Sequence, residues 1–212
     1  MFDLAGTIRD LAIRIPVFLL ALTFHEFAHA WVAQRLGDPT ARLQGRLTLN
    51  PLAHLDPLGT IAIVAIGFGW AKPVPVDARY LSRPRRDFML IAAAGPVSNL
   101  LLGAASAFCV RMIPWAAWGV DWVWLVRPIL LMLYTAVYVN VLLAVFNLLP
   151  IPPLDGSRVL SGFLPLRHAI TYNRLEPYGV LIIFLLFITG VMNPVFGMAQ
   201  HTLTQALFRM WG

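Results

Sequence analysis

The chain has 212 residues, of which 59% are hydrophobic and 12% are charged, and its formal net charge is +6. A soluble domain carries about 25% charged residues, so the composition excludes an ordinary soluble domain and favours a membrane protein. The basic residues form no stripe interleaved with polar residues, which argues against a nucleic-acid partner and favours arginines that face lipid headgroups. The single cysteine, Cys109, excludes both an intramolecular disulfide and a zinc cluster built from thiolates.

Ionisable residues divide the chain into apolar stretches of membrane-spanning length. Arg14 and Arg35 are 21 positions apart, which corresponds to about 32 Å of helix and matches a hydrocarbon core of about 30 Å. Three further spans are predicted: residues 88–110, a proline-interrupted stretch that runs from Arg127 towards Asp155, and a stretch from about Tyr178 through Val191.

Two shorter segments do not fit a full crossing. Residues 59–70 are apolar but only 12 residues long, so we expect a re-entrant or extended segment that is buried in protein or lines a cavity. After Asn193, apolar residues recur at helical spacing and predict an interfacial amphipathic helix rather than a fifth span; these are Phe196, Ala199, Leu203, Leu207 and Met210. Gln200, Thr204 and Arg209 are expected elsewhere on this helix, on its polar face. The expected fold is one all-α polytopic membrane domain over residues 1–212, with about four transmembrane helices.

The distribution of basic residues predicts the orientation of the chain. If residues 59–70 do not cross, the loops 35–86 and 158–176 lie on one side with eleven basic residues, against five on the other. The positive-inside rule then places these loops in the cytoplasm and the N-terminus outside. We therefore expect a multi-pass protein of the plasma or inner membrane whose site opens towards the cytoplasm.

The first predicted span contains an H-E-x-x-H motif, His25 to His29 (HEFAH). Histidines at positions i and i+4 project from one helix face, so both imidazoles can bind one Zn²⁺ ion at about 2.0–2.1 Å each. Glu26 lies one position round the helix, where it can accept a proton from a water on the metal. This motif alone is moderately specific, because the pattern also occurs by chance in soluble helices.

The position of the motif makes it more informative. His25 lies 11 positions after Arg14, which is about 16 Å into a core about 30 Å thick. A carboxylate and two imidazoles at this depth are costly and indicate a functional site. The alternative is a polar cluster that only joins helices through hydrogen bonds.

A catalytic zinc ion requires a third protein ligand and one open position. Asp155 is the only carboxylate between Asp121 and Glu176, and it follows the prolines that interrupt the third span. Those prolines and Gly156 would let the acidic side chain turn inward. The alternative is that Asp155 caps the helix that follows it.

In this combination the motifs resemble the site-2 protease family of intramembrane zinc metalloproteases, in a minimal form without a PDZ or CBS domain. The resemblance rests on HEFAH at 25–29, GPVSN at 95–99, NPLAHLDPLG at 50–59 and NLLPIPPLDG at 147–156. It implies that His25, His29 and Asp155 bind one zinc ion, that Glu26 is the general base and that Asn147 lines the active site. It also implies a membrane-embedded β-like segment at about residues 43–76 that receives extended substrate.

The expected activity is that of a zinc metalloendopeptidase that cleaves transmembrane segments of membrane-protein substrates. Its expected partners are such a substrate and the lipid bilayer, and a regulatory partner is left open. Two other interpretations also stay open, a membrane metal-ion transporter and a catalytically inactive scaffold. Transport would require ligands from several spans and a polar path on both sides, and a scaffold would not need all four polar residues.

The remaining polar residues allow both structural and functional interpretations. His54 and Asp56 could contact substrate or a second metal, although a structural hydrogen bond in a Pro/Asn-rich turn is favoured. Asn99 and Asn140 lie within predicted spans, where interhelical hydrogen bonding is expected. The family motif at 95–99 also allows a functional role for Asn99. His168 and His201 are expected at the surface.

Overall fold

The computed structural model describes residues 4–59, 61, 71–113 and 123–211. Eight α-helices and three short 3₁₀ helices lie within these residues. In chain order they are α1 (Leu4–Arg35), α2 (Thr40–Leu43), α3 (Pro84–Met112), α4 (Val123–Asn147), α5 (Asp155–Phe163), α6 (Leu166–Asn173), α7 (Gly179–Ile188) and α8 (Asn193–Arg209).

Three long helices form the centre of the fold. Helix α1 packs against α3 and α4, and α3 also packs against α4 and α5. The start of α3 is fixed locally, because Pro84 occupies its first turn and the Arg83 backbone N–H donates to the Asp87 carboxylate at 2.8 Å. The buried residues of α3 are mostly small or polar, which allows its neighbours to approach closely.

Four helical stretches are long and apolar enough to cross a membrane, as predicted. The first three run from Ile8 to Arg35, from Pro84 to Met112 and from Trp124 to Asn147. The fourth runs from Leu166 to Ile188 and therefore begins earlier than the predicted start at Tyr178. It includes α6, a 3₁₀ turn and α7, because Pro177 lies in the first turn of a helical segment and does not end the helical path.

The segment between α1 and α3 has little regular structure among its described residues. An isolated antiparallel bridge joins Leu55 to Ala71, and the Lys72 N–H donates to the His54 carbonyl at 2.9 Å. The described residues of the predicted β-like segment at 43–76 form no strand, and this isolated bridge is the extended pairing found among them. The predicted re-entrant stretch at 59–70 lies, apart from Gly59 and Ile61, outside the described residues.

The predicted C-terminal helix is present as α8. Leu207 is buried in an apolar cluster with Ala107 of α3 and Val137 and Val141 of α4. Gln200 was expected on the polar face, yet it is 8% exposed and its Nε2 donates to the Tyr138 carbonyl at 3.0 Å. The helix therefore packs against α4 through a mixed face, because a glutamine can satisfy a backbone carbonyl there.

Candidate metal centre

Helix α1 carries the two candidate histidines on its buried face. His25 and His29 are one helical turn apart, and their ring centroids lie 4.6 Å apart at 85°. Both side chains are buried, at 5% and 8% exposure. About 15 Å of helix separates His25 from the end of α1 at Arg35. The pair therefore lies well within the first membrane-spanning helix.

The proline-rich connection after α4 brings Asp155 next to His25 and His29. Helix α4 ends at Asn147, and α5 begins at Asp155 itself, with Leu154 as an N-cap that makes no side-chain capping bond. The alternative interpretation of Asp155 as an N-cap is therefore wrong. A Cβ atom on Gly156 would lie 2.1 Å from the Leu148 carbonyl oxygen, so the return of the chain requires glycine at this position.

The Asp155 Oδ2 atom lies 3.1 Å from the Nε2 atom of His25 and 3.3 Å from that of His29. Within the described parts of the chain, these residues form a group of three donors that all lie within 4.8 Å of one another. Donor atoms around a tetrahedral zinc ion lie about 3.3 Å apart when each bond is about 2.0–2.1 Å long. The spacing of the group fits such an ion.

The hydrogen bonds on the far sides of the two rings determine which nitrogen atoms carry protons. His29 Nδ1 lies 2.7 Å from the Ile91 carbonyl oxygen, which can only accept. The Asn99 amide nitrogen donates to the Ala21 carbonyl, so its Oδ1 faces His25 Nδ1 at 2.6 Å and must accept as well. In the neutral imidazoles, both Nε2 atoms therefore carry lone pairs.

With both lone pairs directed inward, three electron-rich atoms face one another at the centre of the group. Asp155 Oδ2 is buried and has no hydrogen-bond partner of acceptable geometry, although both Nε2 atoms lie at ion-pair distance. Three electron-rich atoms that face one another repel unless positive charge lies between them. Two imidazole nitrogens and a carboxylate oxygen are ligands that zinc prefers, so these residues fit a zinc ion.

Gly95 of α3 leaves the space that the metal group occupies. A Cβ atom at this position would lie 2.4 Å from His29 Nε2 and 2.6 Å from His25 Nε2. Both distances are far shorter than a van der Waals contact. The glycine of the GPVSN motif is therefore required because α3 passes directly beside the two ligand nitrogens.

We expect Gly95→Ala to displace both imidazoles and to weaken zinc binding by about tenfold or more, the range found when the surroundings of metal ligands are disturbed. Gly197→Ala is the matched control, because a Cβ atom there meets nothing within 4 Å and Gly197 also lies within a helix. Competition titration with a chromophoric zinc chelator measures both affinities. Equal affinities in the two variants would show that Gly95 does not border the metal position.

Glu26 lies beside this group and near a buried arginine. Its side chain is 7% exposed, and Arg46 in the loop after α2 is 5% exposed. Burial lowers the pKa of the Arg46 guanidinium, and the negative charge of Glu26 opposes this shift. Arg46 also donates from Nη2 to the Lys72 carbonyl. The guanidinium thus interacts with the charge of Glu26 and is also bonded to Lys72, next to the Leu55–Ala71 bridge.

The other predicted site residues outside the ligand group form hydrogen bonds within their own segments or lie at the surface. Asn147 is half-buried at the end of α4, and its amide nitrogen donates to Leu143 in the same helix at 3.0 Å. His54 is fully buried and its Nε2 bonds to the Thr48 carbonyl at 2.8 Å, which supports the structural interpretation. Asp56 accepts from the Gly59 N–H at 2.8 Å. His168 and His201 are exposed, as expected.

Sequence reasoning assigned no role to Arg46, which was counted only as a loop charge. Its burial was not visible in the sequence, although Gly45 before it, with φ +68°, marks the turn that redirects the chain. Gly95 was recognised as part of a motif, but the reason for a glycine required the position of α3 relative to α1. Both residues depend on contacts between segments far apart in sequence.

Comparisons with known proteins agree with this site. The sequence profile described as Peptidase family M50 matches residues 125–190, which include Asn147 and Asp155. The Bacillus subtilis (strain 168) protein named "Putative zinc metalloprotease YwhC" is 42% identical over 176 residues, which cover 82% of this chain and 80% of that protein. "Putative zinc metalloprotease Rip2" of Mycolicibacterium smegmatis is 33% identical, over 89% of this chain and 74% of its own length. No solved structure matches the chain.

Proposed function

Because the chain belongs to peptidase family M50, we propose that it is an intramembrane zinc metalloendopeptidase that cleaves transmembrane segments of membrane proteins. The relatives are named as zinc metalloproteases, and four stretches of the chain are long and apolar enough to span a bilayer. One observation carries the proposal: Asp155 Oδ2 lies 3.1 and 3.3 Å from the Nε2 atoms of His25 and His29, which are buried within the first spanning helix beside Glu26. A site built in this way serves a substrate that is itself within the membrane.

In this proposal His25, His29 and Asp155 would hold one zinc ion. Zinc, when bound, supplies a Lewis acid that polarises a carbonyl group and makes water acidic at neutral pH. Asn99 and the Ile91 carbonyl hold the two imidazole rings with their Nε2 lone pairs inward. Three ligands leave one coordination position open for substrate or water, as catalytic zinc sites require.

Glu26 is the proposed general base. Its carboxylate accepts a proton from the attacking water and then donates that proton to the amine nitrogen that leaves when the peptide C–N bond breaks. The buried guanidinium of Arg46 lies close enough to interact with the charge of Glu26. Asn147, at the end of α4, is proposed to line the active site and to help polarise the scissile carbonyl.

A substrate transmembrane helix must unwind locally before it reacts, because helical carbonyls are already hydrogen-bonded. We propose that the unwound strand lies beside the segment at residues 43–76, where the Leu55–Ala71 bridge shows backbone already in an extended pairing geometry. Membrane-embedded backbone of this kind is tolerated only where it lines a cavity or is covered by protein. The segment would therefore border the path by which substrate and water reach Glu26.

We propose that the site opens towards the cytoplasm and that residues 1–212 act as one catalytic domain in the plasma or inner membrane. The support is the excess of basic residues in the loop 35–86 and in residues 158–165, which precede the fourth span in the structure. A cysteine introduced at exposed Leu43 tests the orientation in a variant that also carries Cys109→Ser. Labelling of this cysteine by an impermeant reagent only from the periplasmic or external side would refute it.

The test of the proposed function uses purified protein in proteoliposomes with a panel of single-span substrates, some with helix-destabilising residues near mid-span. We expect cleavage within the span, faster for the destabilised substrates, loss of cleavage when a chelator removes zinc, and recovery when zinc is added back. Zinc flux into the liposomes without any cleavage would instead support a transporter. Stable binding of substrates with neither cleavage nor flux would support an inactive scaffold.

A further inference from the structure

The ring of His25 continues into a chain of side-chain amides that reaches the third spanning helix. His25 Nδ1 lies 2.6 Å from Asn99 Oδ1, and Asn99 Nδ2 lies 2.8 Å from Asn140 Oδ1. Asn140 Nδ2 in turn lies 2.8 Å from the Ala136 carbonyl oxygen, four residues earlier in α4. Asn99 and Asn140 are 0% and 1% exposed, so water does not compete for these bonds.

The direction of every bond in this chain is fixed from its far end. The Ala136 carbonyl can only accept, so the Asn140 amide group must point its NH₂ there and its Oδ1 towards Asn99. Asn99 must then direct its NH₂ towards Asn140 Oδ1 and the Ala21 carbonyl, which lies 3.1 Å away. Its Oδ1 is left facing His25 Nδ1, which must carry the proton. His25 Nε2 consequently presents its lone pair towards Asp155.

A reversed Asn99 amide would have the opposite effect. Its NH₂ would face His25 Nδ1, the proton would move to Nε2, and the ring could no longer act as a metal ligand through that atom. Two acceptors hold the amide in the productive orientation, the Ala21 carbonyl on α1 and Asn140 on α4.

We propose that Asn140 is a positioning residue that, acting through Asn99, fixes the tautomer and orientation of the ligand His25. Asn140 is not a member of the ligand group, and it acts from a different helix than either histidine. The proposal rests on the proposed zinc site and goes beyond it, because it adds α4 to the elements that determine the metal affinity. A buried amide that merely joined two helices would not affect the affinity through Asn99.

The test measures zinc affinity by competition titration, and ligand geometry by the visible absorption spectrum of the Co²⁺-loaded protein, in purified full-length variants. We expect Asn140→Leu to weaken zinc binding by about tenfold, the low end of the effect of outer-shell partners, and to alter the Co²⁺ spectrum. Asn140→Asp should bind zinc as the wild type does, because a buried neutral carboxyl group keeps an acceptor for Asn99 and a donor for Ala136.

Gln200→Leu is the matched control. Gln200 also makes a buried bond to α4, to the Tyr138 carbonyl at 3.0 Å, but its bonds among the described residues, to Tyr138 and Thr204, do not lead to His25. This variant should lose thermal stability as Asn140→Leu does, yet keep the wild-type zinc affinity and Co²⁺ spectrum. An equal loss of zinc affinity in both variants would reduce Asn140 to a general packing role and overturn the proposal.

A double-mutant cycle with Asn99→Leu tests the route of the effect. If Asn140 acts through Asn99, Asn140→Leu adds no further loss of zinc affinity in the Asn99→Leu background. Additive losses would overturn the proposal even if both single variants bind zinc weakly. Both readouts are independent of proteolysis, so failure of this inference is distinguishable from failure of the proposed activity, which the cleavage assay tests in the wild-type protein.

Discussion

Replacement of Glu26 by glutamine is expected to lower the rate of substrate cleavage by about 10²–10⁴-fold, the range that a general acid–base group contributes. The amide keeps the size of the side chain but cannot accept a proton from water. Glu26 is not one of the three candidate ligands, so zinc should remain bound at one ion per chain. Cleavage of a single-span substrate in proteoliposomes, together with metal analysis of the same sample, measures both quantities.

Glu176→Gln is the matched control for this variant. It makes the same chemical change at a carboxylate that is 56% exposed and forms a long ion pair, at 3.9 Å, with Arg158. We expect its activity to match that of the wild type, because an exposed pair of this kind contributes little. Full turnover by Glu26→Gln would contradict the assignment of the base. Loss of zinc from Glu26→Gln would instead show that Glu26 is needed for the site to form.

Replacement of Asp155 by alanine is expected to remove zinc from the protein and cleavage with it. Changes to groups outside the ligand shell weaken metal binding by about 10–100-fold, so loss of a direct ligand should cost at least about 100-fold. The two imidazoles alone do not complete a three-ligand catalytic site. Metal analysis after dialysis against a weak chelator measures the loss, and added zinc should not restore activity at concentrations that restore the wild type.

Asp10→Ala is the control for loss of a carboxylate, since Asp10 is half-exposed and lies near the start of α1, away from the metal group. It should retain zinc and activity. A zinc content of one ion per chain in Asp155→Ala would show that another residue supplies the third ligand. The distances of 3.1 and 3.3 Å from Asp155 to the histidines would then reflect packing and not metal binding.

The sequence was sufficient for the class of the protein and for most of the candidate site. The low charge content and the uncharged stretches predicted the four spans, because the cost of charge in hydrocarbon leaves a direct trace in composition. The spacing of His25 and His29 required no tertiary information, since the helical repeat alone places positions i and i+4 together. Asp155 was identified because few carboxylates were available and prolines preceded it.

The remaining features required the positions of helices relative to one another. Gly95 is needed because α3 passes within a Cβ contact of both Nε2 atoms, and Arg46 matters because its loop folds back towards Glu26. Gln200 was placed on the wrong face because its partner, the Tyr138 carbonyl, lies on another helix. The start of the fourth span was also misplaced. Pro177 lies in the first turn of a helical segment, where a proline is tolerated, whereas a proline inside a helix would interrupt it.

By itself the sequence determined a membrane-spanning zinc peptidase fold with three candidate ligands and a base, because composition and helical periodicity are local properties. Only the tertiary structure decided how those ligands are oriented. The proton positions on His25 and His29 depend on acceptors at Asn99, Asn140 and Ile91, which lie 62 or more positions away along the chain. Hydrogen-bond direction is a property of atoms in contact, and these contacts form only when α1, α3 and α4 pack together.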